Sequence, residues 1–263
     1  MKPEAWHTAV VTGGASGIGL EFCRQLVSSY GCHVAIIDRT PATVLAAEPQ
    51  LAGVPYLQID LCDDDSVSRV TEFLDNHSLT PDLFINNAGI FDFKAVADMP
   101  SARIDTYIDL HIRATTRLSR MAAARMTAAG GGSILNMSSM SCWMPMPGIA
   151  MYAATKAYIR VLSRAMRVEL RDSGVNVTVA CPGGIATDLF GLPPKLQRLG
   201  VRLGALQTPQ RFVRNALRHT ARGKKQYING MLNRISIVAV AMLPERLRLT
   251  IKHRLLDRIN HKS

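Results

Sequence analysis

The chain has 263 residues, 48% of them apolar, with 19 Gly and 13 Pro. That is enough for one large α/β domain, and it lacks the low-complexity tracts or repeats of disordered, fibrous or solenoid chains. The net charge of +11 is carried by the C-terminal quarter, where residues 195–263 hold sixteen Lys/Arg against Glu245 and Asp257, while the remainder is slightly acidic at −3. Such segregation marks a solvated face or contact with an anionic partner; with no aromatic-rich RNA-binding signature and no zinc-finger spacing, no nucleic-acid partner is expected. Five cysteines, Cys23, Cys32, Cys62, Cys142 and Cys181, are odd in number and scattered without a CxxC pair or a His/Cys cluster. They read as reduced thiols, and no metal site is expected.

Taken in chain order, the runs HTAVVT, HVAIID, PYLQID, DLFINN, GSILNMS and VNVTVAC each have the β-branched, apolar character of buried strands, and helix-length segments separate them. The rhythm predicts an α/β fold with a doubly wound parallel sheet, in which a ligand lies at the carboxyl ends of the strands. The first strand starts so close to Met1 that no signal-peptide core fits before it, and a cytoplasmic location is expected. Residues 188–208 read as a substrate loop carrying a short basic amphipathic helix, 209–222 as a helix, and 226–229 as a closing strand. The expected organisation is a single catalytic domain over 1–230 and a basic apolar/amphipathic extension over 231–263. Within that extension the apolar run 235–243 is too short to span a bilayer.

Directly after the first strand comes TGGASGIG, with Gly13, Ser16, Gly17, Ile18 and Gly19 opening the next helix. Glycines there permit a tight turn and let backbone N–H groups at a helix N-terminus approach a pyrophosphate. Asp38 closes the second strand, where a carboxylate either accepts the adenosine ribose hydroxyls and repels a 2′-phosphate, the favoured reading, or caps the turn. Arg39 follows it and can receive that phosphate, so NAD(H) is the preferred cofactor and NADP(H) the alternative. Asp60, followed by Leu61, ends the third strand and either holds the adenine or caps a turn. Asn87, Ala88 and Gly89 form the turn after the fourth strand.

Tyr152 and Lys156 stand at i and i+4 in AMYAATKAYIRVLS and share one helix face, thirteen residues beyond Ser139 at the end of the fifth strand. TGGASGIG, NNAG, Ser139, YAATK and the CPGGIAT turn, in this order, resemble the short-chain dehydrogenase/reductase family over about residues 6–230. The resemblance implies a Rossmann-type sheet of about seven strands in the order 3-2-1-4-5-6-7 and NAD(H) or NADP(H) as cofactor. It assigns Ser139, Tyr152 and Lys156 to the catalytic group. It also implies cofactor contacts from the glycine turn, Asp38, Asp60, Asn87, Tyr152, Lys156 and the turn bearing Pro182, Gly183, Ile185 and Thr187. An ammonium about 4 Å from a phenol, at an effective dielectric of about 20, contributes roughly 4 kcal/mol, so Lys156 is expected to bring Tyr152 toward neutrality as the acid/base. One position departs from the family pattern: His111 stands where the family usually has an asparagine that anchors a relay water largely through its backbone carbonyl. His111 either preserves that role, retunes it, or is a helix histidine without one.

SCWMPMPGIAM, with Trp143 and several Met, is expected to line an apolar pocket beside the nicotinamide together with Phe91, Phe93, Leu189 and Phe190, or else to serve core or dimer packing. The first reading predicts a lipophilic secondary alcohol or ketone, steroid-like or long-chain acyl. Helices over 102–128 and 152–172 resemble those that pair in family dimers, so a homodimer or homotetramer is expected. Two other classes stay open: a non-catalytic dinucleotide sensor, motivated by His111, and a peripheral lipid-surface protein, motivated by the basic tail. For the tail itself, packing over the pocket or a partner is favoured over interfacial contact with anionic lipid.

Overall fold

The short β-branched runs form seven strands: β1 (Thr8–Thr12), β2 (His33–Asp38), β3 (Tyr56–Gln58), β4 (Leu83–Asn86), β5 (Gly132–Met137), β6 (Val175–Ala180) and β7 (Gln226–Tyr227). The structure, a computed structural model, describes residues 6–187, 189, 193–203 and 206–260, with backbone only at 194, 238, 251 and 254–260. The strands pair in parallel in the order β3-β2-β1-β4-β5-β6-β7, as the sequence resemblance implies. Two runs are shorter than their hydrophobic pattern suggests. PYLQID leaves the sheet after Gln58, and the closing strand holds only two residues.

Between the strands lie α1 (Gly17–Gln25), α2 (Ser66–Asn76), α3 (Ser101–Tyr107), α4 (Thr115–Ala128), α5 (Ala150–Glu169), α6 (Pro194–Arg202) and α7 (Pro209–Ala221); α8 (Met231–Ala241) and α9 (Glu245–Asn260) follow β7. A π-helical turn, Ile108–Ala114, joins α3 to α4.

Both faces of the sheet are covered, which is why its strands read as continuous apolar runs rather than as alternation. On β1, Ala9 and Val11 point to the layer of α1 and α7 and join Phe22, Phe212 and Leu217. Val10 points the other way and joins Val70, Leu118 and Met121 from α2 and α4. Each such Val, Leu, Phe or Met side chain, where fully buried, stabilises the fold by roughly 1.5–3 kcal/mol. The chain passes from β1 to β2 on one side and from β4 to β5 on the other, so the loops after β1 and β4 diverge and leave a crevice at the carboxyl edge.

The apolar run 235–243 falls in and just after α8, and only Ile237 among its described side chains is buried. α9 returns across the segment 141–157, where Glu245, Arg248, Leu249 and Lys252 close one side of a cavity of about 620 Å³. No described helix is long and apolar enough to cross a membrane.

Candidate active site

The crevice begins at the glycine turn. Gly13 adopts φ +65°, and a Cβ there would stand 2.9 Å from the Cα of Ala88. A Cβ at Gly19 would lie 1.9 Å from the carbonyl oxygen of Gly13, so α1 can start this close to its own turn only with glycine there. Thr12 and Asn87 bind the two strand ends together. The Thr12 hydroxyl accepts from the N–H groups of Asn87 and Ala88 at 3.0 and 3.1 Å, and the Asn87 amide donates to the carbonyls of Thr12 and Gly13 at 3.1 Å each. Ser16 precedes α1 in extended backbone, and the first turn of α1 itself holds no acidic residue, so its positive end borders the crevice.

Asp38 is fixed at the far end. Its carboxylate accepts from Ala15 N–H at 3.0 Å and from Thr40 N–H at 2.9 Å. Asp60 accepts from Cys62 N–H at 2.9 Å, which is the turn-capping role, and it also lines the crevice.

A cleft of about 320 Å³ runs from Asp38 to α5. Of the residues named from sequence, Gly13, Ser16, Gly17 and Ile18 line it after β1, Asp38 and Arg39 after β2, and Asp60 and Leu61 after β3. Asn87, Ala88 and Gly89 line it after β4, Tyr152 and Lys156 from α5, and Pro182 and Thr187 after β6. Gly19, Gly183, Ile185, Ser139 and His111 stand behind this lining. The Gly183 N–H donates to the Asn229 side chain at 2.6 Å, and Ile185 is buried against Gln207. Sequence reasoning missed Thr40, Cys62, Thr106 and Leu110, which also line the cleft. Leu110 and Thr106 are four residues apart on the helix that carries His111, a spacing that would have flagged them once one was placed.

At the inner end, α5 is held by three consecutive residues of the β5 terminus. The Asn136 amide donates to Ser163 Oγ at 2.9 Å, the Met137 carbonyl accepts from Lys156 Nζ at 3.1 Å, and Ser138 Oγ donates to the Lys156 carbonyl at 2.7 Å. Tyr152 and Lys156 are both buried, and Nζ lies 5.7 Å from the Tyr152 ring centroid. Ser139, two residues past β5, stands beside the Tyr152 phenol, whose pKa it acts to lower, and accepts from Ser141 N–H at 3.2 Å.

The electrostatics correct one expectation. Burial lowers Lys156 to about 8, and burial also pushes Tyr152 up to about 12, opposed by Ser139. The expected fall of the phenol through Lys156 is not what the polypeptide alone produces, because desolvation of two adjacent buried groups outweighs their attraction.

His111 is fully buried. Its Nε2 accepts from Ile90 N–H at 3.0 Å, so that nitrogen carries no proton. Nδ1–H then donates to Thr155 Oγ1 at 2.9 Å, and Thr155 donates to the Tyr152 carbonyl at 3.0 Å. Burial, with Lys156 and Arg103 nearby, holds the imidazole well below its usual range and therefore neutral. Thr155 and Tyr107, whose hydroxyl accepts from Asp92 N–H at 2.6 Å, complete this bracing of the segment after β4; neither was foreseen.

The Met-rich stretch goes elsewhere. The 3-10 turn Met140–Trp143 carries Trp143, Met144 and Met146 away from the cleft to the second cavity beneath α9, with Arg160 stacked 4.4 Å from the Trp143 ring. Phe91 does reach the site, edge-on to Tyr152 at 5.0 Å, and Leu189 lines the cleft mouth. Phe93 lies against Gly148, and Phe190 lies outside the described residues.

A family model described as short chain dehydrogenase matches residues 7–193. The chain belongs to the short-chain dehydrogenase/reductase family. It is 31% identical over 184 residues to the probable oxidoreductase EphD of Mycobacterium tuberculosis, a match covering 68% of this chain but 31% of that protein, so the chain corresponds to under a third of that relative. Among solved structures, a short-chain dehydrogenase from Sphingobium yanoikuyae in complex with NADPH is 27% identical with a TM-score of 0.75, covering 89% of this chain and 93% of that one. The bulky-bulky ketone specific alcohol dehydrogenase from Comamonas testosteroni is 25% identical with a TM-score of 0.72, covering 94% and 92%.

The position of Lys156 has a measurable consequence. The fold favours the neutral amine, so the contribution of Lys156 to stability is full above the ordinary lysine value of 10.5 and is lost as pH falls through about 8. Between pH 8 and 10 the unfolding free energy of the wild type should therefore rise relative to Lys156→Met in parallel denaturant titrations. A difference that is flat or falls with pH would show that the ammonium is not destabilised by burial.

Proposed function

We propose that the chain interconverts a secondary alcohol and a ketone with a nicotinamide dinucleotide, preferring NAD(H), and that Tyr152 holds and moves the proton on the substrate oxygen. The observation that carries this reading is the cleft itself. Its outer end offers a helix N-terminus and a fixed carboxylate, and its inner end offers a phenol and an ammonium on one face of α5. The residues fit such a cofactor: Gly13 and Gly19 remove the side chains that would fill the approach, and Asp38 fixes negative charge where ribose hydroxyls bind and a 2′-phosphate is repelled. The dinucleotide supplies or accepts the hydride; the chain supplies orientation and the proton.

In the reductive direction Tyr152 gives its phenolic proton to the oxygen as the carbonyl carbon gains hydride, and in the oxidative direction it takes that proton back. Ser139 orients the same oxygen, and Lys156 stabilises the phenolate left behind. His111 acts as a positioning residue. Both its nitrogens are occupied and it is neutral, so it braces Ile90 and, through Thr155, the turn that bears Tyr152. Phe91 and Leu189 beside the phenol suit an apolar substrate, and the ketone-specific structural relative supports a bulky one.

The assembly we propose is a homodimer through α5. Ala154, Tyr158, Val161, Ala165 and Val168 recur at helical spacing on its exposed face, with Val161 61% and Val168 73% accessible, while Ile108 is exposed on the neighbouring π turn. Such a stripe is costly to leave in water and self-complementary about a twofold axis.

In an assay of NADH oxidation with a panel of bulky ketones, Tyr152→Phe should lower turnover at least about a hundredfold, or roughly 2.7 kcal/mol, with cofactor affinity unchanged. His111→Asn should lower turnover about tenfold in the same assay with cofactor affinity unchanged, because the backbone carbonyl is retained but the shorter side chain loses the braces to Ile90 and Thr155. Turnover by Tyr152→Phe at more than a few per cent of wild type would require another acid/base. Calorimetry should find NADH bound about tenfold or more tighter than NADPH, with Asp38→Ala narrowing the gap; tighter NADPH would mean that Arg39 governs. Sedimentation velocity should turn the dimer into a monomer in Val161→Asp/Val168→Asp, and an unchanged sedimentation coefficient would place the interface elsewhere.

A further inference from the structure

Outside the cleft, α6 and α8, which follow β6 and β7, each expose apolar side chains among the described residues. α6 places Leu196 and Leu199, with Leu203 just beyond its end, at i, i+3 and i+7, and these are 52%, 50% and 72% accessible. Lys195, Arg198 and Arg202 repeat the same spacing one residue earlier, so a basic stripe runs beside the leucine stripe, about 100° around the helix. α8 continues the pattern. Met231, Leu232 and Ile235 are 78%, 67% and 60% accessible and flank Arg234, and Met242 beyond the helix is exposed too. No acidic residue stands anywhere from 189 to 244.

Both helices root at the carboxyl edge of the sheet, beside the cleft. α6 follows the segment in which Pro182, Thr187 and Leu189 line the cleft, and Asn229, two residues before α8, accepts the Gly183 N–H. Asn233 on α8 lies directly against Gly183.

Three kinds of partner compete for such a face. RNA would look for aromatic platforms, and the exposed apolar residues here are Leu, Met and Ile. A second copy would bring one acid-free basic stripe against another. An anionic bilayer complements both halves at once, with the acyl boundary receiving the leucines and the headgroup phosphates the cations.

We propose that α6 and α8 form a docking face for anionic lipid bilayers, with the mouth of the cleft on the membrane side. The inference stands on exposure, spacing and charge and does not depend on the oxidoreductase reading. The test is co-sedimentation of the intact chain with phosphatidylcholine vesicles with and without phosphatidylserine, at low and high salt. The chain should pellet with the phosphatidylserine vesicles at low salt and remain in solution with phosphatidylcholine alone, and high salt should weaken binding about tenfold or more. Leu196→Ser/Leu199→Ser/Leu203→Ser should lower binding by a similar factor with an unchanged circular dichroism spectrum, and Lys195→Glu/Arg198→Glu/Arg202→Glu should abolish it. If the leucine variant misfolds, the charge variant and the salt series decide. No pelleting of the intact chain at low salt overturns the proposal, as does binding indifferent to salt and to the charge variant. A leucine variant that instead shrinks the assembly in vesicle-free sedimentation velocity, without loss of vesicle binding, assigns the stripe to a second copy and also overturns it.

Discussion

A lysine ammonium buried against the end of a β-strand sets the geometry on which the rest of the site depends. Among the described residues Lys156 donates to the Met137 carbonyl, and it is held there by the bonds of Ser138 and Asn136 on either side of that carbonyl. Removing a cation from water is expensive unless it is hydrogen-bonded, and here burial alone brings the amine down to about 8. The strand end therefore fixes the axial rotation of α5, and that rotation puts Tyr152, one turn earlier, at the same depth. A helix free to slide by one residue would turn both side chains about 100° away from the cleft.

The opposite wall is fixed by a different kind of constraint, the absence of side chains. Gly13 and Gly19 let the first turn, the start of α1 and the loop after β4 approach within van der Waals contact, and Thr12 and Asn87 hold them there by hydrogen bonds. Because the strands are parallel and the order reverses between β1 and β4, the loops meet at one edge. His111 spans the gap between the two walls, receiving the Ile90 N–H from one and passing a hydrogen bond through Thr155 to the other. Its position in a π-helical turn, where the regular ladder widens, gives the ring room to lie between them.

The sequence made legible whatever depends on local pattern. The strands β1, β2, β4, β5 and β6 follow from apolar runs buried on both faces, the glycine turn from its place between β1 and α1, and the shared face of Tyr152 and Lys156 from helical spacing. What escaped depends on directions that only tertiary packing sets. Trp143, Met144 and Met146 have the composition of a substrate pocket, yet the 3-10 turn capped by Ser139 sends them to the far side of α5, under a tail helix whose docking no periodicity encodes. The rise of the Tyr152 phenol to about 12 was equally hidden, because spacing shows that a cation is near but not how completely the phenol is desolvated. Thr155 lay within the recognised YAATK string itself. Its use as the link to His111 needed the crossing of α5 with the π turn, a contact between residues 44 positions apart.

Charge and order divide the chain in a related way. Up to β6 the polar residues are spent inward, on Asn136, Ser138, Thr12 and Asp38, each satisfied by a named partner, and that part of the molecule is a rigid frame for two ends of one cleft. In α6 and α8 the balance inverts: cations stand in a stretch, 189–244, that holds no acid, and leucine and methionine side chains are exposed. A frame built to hold reacting groups gains from the first arrangement, since every buried polar atom left unpaired would cost on the order of 1–3 kcal/mol. A surface that must meet something other than water gains from the second. The two arrangements meet near the mouth of the cleft, which Thr187 and Leu189 line just before α6 begins.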